Sequence, residues 1–73
     1  MMTKRRELLR KIRREARRQG LSFERDAHKG GNHEIWKLDG MTIPVPRHHE
    51  IGDITAMGIY KEAAEKLGKG WWQ

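Results

Sequence analysis

Glu34-Ile35-Trp36-Lys37-Leu38-Asp39-Gly40-Met41-Thr42-Ile43-Pro44-Val45 reads as strand, turn, strand. Asp-Gly is a strong two-residue hairpin signal, because a tight turn between twisted strands needs positive φ at both central positions. The second strand spans residues 33–38 on this reading and the third spans 41–45, where Met41, Ile43 and Val45 share a face. Parity puts His33 and Ile35 on one face of the second strand and Trp36 and Leu38 on the other. Both faces carry apolar residues, so the pattern leaves open which one meets the helices. Pro44 has no N–H to donate, which predicts an edge strand or one bonded on a single side there.

Upstream lies Lys29-Gly30-Gly31-Asn32-His33. Two glycines free the backbone to turn sharply or to lie close to a ligand. His33 stands where this loop meets the strand, a kind of position where function collects on a rigid scaffold. Imidazole is also the only side chain whose unperturbed pKa lies near neutrality. A lone histidine beside glycines is more often an ordinary turn residue. Before the loop, the Leu/Phe alternation of Leu21-Ser22-Phe23-Glu24-Arg25-Asp26 predicts a first strand with one buried face.

The chain has 73 residues, carries a net charge of +6 and has no cysteine. That size makes one small domain. Disulfides and thiolate zinc sites are excluded as its staples. With no secretory signal and no long apolar run, a soluble, cytoplasmic protein is expected, not a membrane one. The positive charge is concentrated: residues 3–19 carry +7, from nine Lys/Arg against Glu7 and Glu15, and the remainder carries −1. This segment reads as a first helix, capped by Thr3, ended by Gly20 and given a narrow apolar stripe by Leu8, Leu9, Ile12 and Ala16. Its remaining surface is Arg and Lys, suited to phosphate or an acidic partner and equally to a plain solvated face. The stripe lacks the aromatic, Leu-rich character of membrane-surface helices.

A second helix is predicted from Gly52-Asp53, with Ile54, Met57, Tyr60, Ala64 and Leu67 as its apolar stripe and Gly68 closing it. The stretch before it, Pro46-Arg47-His48-His49-Glu50, reads as a loop. Residues 1–68 then form a single domain, and residues 69–73 form a short tail whose Trp71 and Trp72 are expected to fold back on it. The expected fold is α+β, a two-layer α-β-β-β-α unit: a three-stranded antiparallel sheet with two helices on one face.

That order is the order of the double-stranded-RNA-binding fold. Gly31-Asn32-His33 at the start of the second strand, Val45-Pro46-Arg47-His48 at the end of the third and Gly52 before the last helix together resemble the HicA (YcfA-like) family. Those proteins are small mRNA interferase toxins of toxin–antitoxin pairs. The resemblance covers about residues 5–62. It implies an endoribonuclease with His33 as the catalytic residue, mRNA as substrate, a HicB-type antitoxin as partner, and no cofactor. Asn32 stands where the family usually has Ser, and it still offers a donor and an acceptor to hold the loop.

The residues present fit such chemistry. Asp26, Glu34, Asp39, Glu50 and Asp53 are scattered, without metal-ligand spacing, and the four histidines lack the partners of a zinc motif. RNA brings its own nucleophile, the 2′-OH, and His33 as general base would draw off its proton. Lys29, Arg47 and backbone N–H groups around Gly31 and Asn32 are placed to meet the phosphate. His48 is the candidate second acid, and Arg10, Arg13 and Arg17 are the candidate phosphate contacts of the first helix. Two other functions share these residues: a non-catalytic double-stranded-RNA-binding module, and a protein-interaction domain whose basic helix meets an acidic partner.

Overall fold

A computed structural model of the protein describes residues 2–27 and 31–73. Its elements are β1 (Met2–Lys4), α1 (Arg5–Arg18), β2 (Phe23–Arg25), β3 (His33–Leu38), β4 (Met41–Pro46), β5 (Glu50–Gly52) and α2 (Asp53–Leu67). The fold is α+β. Strands β2, β3 and β4 form an antiparallel three-stranded sheet in sequence order, while β1 pairs with β5 in a separate antiparallel ribbon. No helix among the described residues is long and apolar enough to cross a membrane.

The hairpin forms as its sequence demands. Asp39 has φ 50° and Gly40 has φ 85°, and Leu38 faces Met41 across the turn. The parity question is settled by burial. Trp36 and Leu38 face the helices with Phe23, Ile43 and Val45, and His33 lies exposed on the open face. The Ile35 carbonyl accepts from the Asp26 amide at 2.8 Å, so the backbone groups of Ile35 point toward β2. Backbone groups of adjacent residues alternate in direction, so Pro44, opposite Ile35, turns its missing N–H to the outer edge of β4. Pro46 is in the same phase. Neither proline removes a ladder bond, and both blunt the exposed edge.

Both helices pack on one face through a single core that includes Leu8, Ile12, Ile59 and Ala63. The β1–β5 ribbon immediately precedes each helix and holds their N-terminal ends together; at the far end, Gln19 Nε2 donates to the Leu67 carbonyl at 2.7 Å. Helix α1 ends in a Schellman pattern, with Leu21 N–H bonded to the Ala16 carbonyl, Gly20 N–H to the Arg17 carbonyl and Gly20 at φ 75°. Helix α2 closes at Gly68, whose N–H reaches the Ala64 carbonyl at 2.9 Å. The tail does fold back: Trp71 Nε1 donates to the Tyr60 carbonyl at 2.9 Å, and both tryptophans pack around the Tyr60 ring.

Four sequence expectations need correction. Thr3 is not a cap; it pairs with Ile51 in β1, and the helix begins after Lys4 without a side-chain cap. Residues 46–50 are not all loop, because Pro46 extends β4 and Glu50 starts β5. The first strand is shorter than residues 21–26. The stripe of α2 is rotated: Ala56, Ile59, Tyr60, Ala63 and Leu67 are buried, whereas Ile54 is 91% exposed and Met57 is 39% exposed. Tyr60 and Leu67 lie inward as expected, but Ala56, Ile59 and Ala63 fill the rest of the buried face, and a reading weighted toward bulky residues takes Ile54 and Met57 instead.

Candidate active site

The end of the sheet where β3 begins collects the site. Gly31 has φ 109°, a conformation glycine adopts without strain. Asn32 and His33 follow, both exposed, and His33 lies opposite Pro46 in the register of β4. One residue beyond Pro46, Arg47 reaches back: its Nε donates to the Gly31 carbonyl at 3.0 Å. The loop that presents His33 is thus clasped by the end of the neighbouring strand.

Beneath this clasp is Glu34, with only 13% of its side chain exposed. Its parity places it on the helix side, where it bonds the Arg5 guanidinium and accepts from Trp36 Nε1 at 2.8 Å. Arg25 and Arg47 stand 3.6 Å away. Burial pushes the Glu34 carboxyl upward, but the Trp36 and Arg5 hydrogen bonds and the nearby arginine charges outweigh it and hold the group below the usual glutamate range. Arg5 also gives Nε–H to the Pro46 carbonyl at 2.8 Å and its backbone N–H to His49 at 2.8 Å. Helix α1, β3 and the end of β4 are therefore locked together around one carboxylate.

The residues singled out from the sequence divide into two groups. Gly31, Asn32, His33 and Arg47 come together, with His48 exposed in the following turn. Lys29 lies outside the described residues. Arg10, Arg13 and Arg17 stand apart on α1, in the helix layer, while His33 projects from the opposite face of the sheet. Arg17 lies about 18 Å along the helix from Arg5 at 1.5 Å per residue. Arg10 is 3.4 Å from Glu7, and Arg13 stacks its guanidinium over the Trp36 ring at 5.6 Å.

Sequence reasoning missed Arg5, Glu34 and the Lys4–Arg6 cations as members of the site. A signal was present: Lys4, Arg5 and Arg6 are three successive cations at the start of a helix, where they oppose its dipole, and only Glu7 in the first turn favours it. Among the described residues no three His, Asp or Glu converge as a metal site. No family model matches the chain, and the comparisons with curated proteins and with solved structures found no match.

Proposed function

We propose that this protein is a metal-independent endoribonuclease of the HicA type, an mRNA interferase toxin built on a double-stranded-RNA-binding-like fold. The observation that carries this reading is the exposed His33 at a glycine-loop-to-strand junction, with the loop clasped by Arg47. A general base must be accessible to its substrate and carried on a steady backbone; exposure supplies the first, and the clasp on the Gly31 carbonyl supports the second.

In this reaction His33 accepts the proton of an RNA 2′-OH as that oxygen attacks the adjacent phosphorus. The bond to the 5′-oxygen breaks, leaving a 2′,3′-cyclic phosphate and a 5′-hydroxyl once the leaving oxygen takes a proton, for which His48 is the nearest candidate in sequence. Arg47, Asn32 and the amides of Gly31 and Asn32 are the groups this reading assigns to the phosphate's developing charge. The protein acts in the cytoplasm on mRNA and is held in check by a HicB-type antitoxin.

The separation of the α1 arginines from His33 favours a second reading, a binding module that docks on RNA without cutting it. One experiment decides between them. Purified protein is incubated with RNA in EDTA beside a His33→Ala variant, and the product ends are analysed. Cyclic-phosphate ends from the parent and none from the variant support the nuclease; intact RNA with both, despite binding, supports the module.

A further inference from the structure

A cleft of about 760 Å³ opens beside the loop clasp, lined by Lys4, Arg5, Arg6, Arg47, His49 and Glu50. Three separate parts of the chain supply its cations: β1, the first turn of α1 and the turn after β4. Arg5 and Arg47 are partly balanced by Glu34 beneath them. Lys4 and Arg6 make no ion pair among the described residues, although Glu50 is the cross-strand neighbour of Lys4. Four cations of the cleft wall thus face two carboxylates, Glu34 and Glu50.

Local stability does not account for them. Cations in the first turn of α1 meet the positive end of the helix dipole, where an acidic residue is favourable. Solubility does not account for their position either, since charges serve that purpose anywhere on the surface. What gains from cations converging on a concave wall is an anion of matching size, held by charge-assisted hydrogen bonds.

We propose that this cleft is a phosphodiester subsite, gripping the RNA backbone next to the nucleotide presented to His33. The inference rests on the RNA reading and deepens it: Arg47 belongs both to the loop clasp and to the cleft wall, so one side chain joins the cleft on the helix side to the loop that carries His33. Phosphate contacts position a nucleic acid without reading its sequence. The cleft fixes which phosphodiester meets the histidine, and base preference is set elsewhere.

The test uses the full chain, isotopically labelled, and a short single-stranded RNA carrying 2′-O-methyl groups throughout, which cannot be cut by 2′-OH attack. Amide resonances of Lys4, Arg6 and His49 are expected to shift on titration. Lys4→Gln/Arg6→Gln should weaken binding by about tenfold or more. It should also reduce the salt slope by about 1.4, the value for two lost contacts to a single strand. The charge-matched control, Lys61→Gln/Lys69→Gln, should weaken it far less. Amide spectra of each variant report folding. Equal losses in both double variants, shifts confined to α1 beyond its first turn, or binding of inorganic phosphate in the cleft without binding of the RNA would each overturn the proposal. Binding in the cleft by a protein that leaves ordinary RNA uncut would retain the subsite and retire the nuclease reading.

Discussion

Arg47 Nε donates to the Gly31 carbonyl at 3.0 Å, linking the end of β4 to the loop that presents His33. The same guanidinium stands 3.6 Å from Glu34. A planar fork can donate to the carbonyl while its charge lies beside the carboxylate, whereas an ammonium is a single compact charge on a flexible stem. Position at the glycine loop is thus set by a side chain 16 residues away in sequence.

Arg47→Lys should retain the fold and the net charge but lose the clasp. Misplacement of a catalytic group by about 1 Å can cost roughly 10²-fold in rate, and that is the expected loss of RNA cleavage. Cleavage assays beside the amide spectrum of residues 31–33 check it. Full activity in the variant would show that the loop holds itself.

Glu34→Gln tests the carboxylate beneath the clasp. Arg5 would keep its bond to the Pro46 carbonyl but lose its ionic partner in a half-buried place, at a cost of roughly 1–3 kcal/mol. The pH dependence has a definite sign. Because the folded carboxyl titrates below its ordinary range, its contribution to stability is complete above that range. That contribution is lost as the pH falls through the lowered folded value. Urea unfolding across the acid range should show a steeper loss in the parent than in Glu34→Gln. Parallel curves would remove Glu34 from the acid limb.

The rotated face of α2 makes a third prediction. Ile59 is 4% exposed and Ile54 is 91% exposed. Ile59→Ala should cost roughly 2–4 kcal/mol, and Ile54→Ala should stay within about 0.5 kcal/mol of the parent. Chemical denaturation of the two variants checks it, and comparable losses would contradict the observed burial.

Much of this arrangement is legible in the residues. The Asp39-Gly40 turn, the span of β3, the apolar stripe of α1, the glycine ends of both helices and the return of the tail all follow from local chemistry. What escapes is set by partners distant in sequence. Residues 2–4 and 50–52 have no strong strand pattern and become strands only against each other. The buried stripe of α2 includes Ala56 and Ala63, whose small side chains give a weak apolar signal in the sequence. In the site, His33 and Arg47 announce themselves by residue type and context. Glu34 does not, because nothing in a strand sequence says that its carboxylate turns toward the helices and gathers three arginines.

The central claim is that His33 serves a reaction whose nucleophile is the RNA's own 2′-OH. The most direct measurement uses an RNA with a single 2′-deoxy nucleotide on the 5′ side of a mapped scissile bond. Loss of that one hydroxyl should leave binding close to the parent RNA's and abolish cleavage at that bond, while other sites are still cut. Cleavage of the substituted bond at the parental rate would contradict the account, because a nucleophile other than the 2′-OH would then be at work.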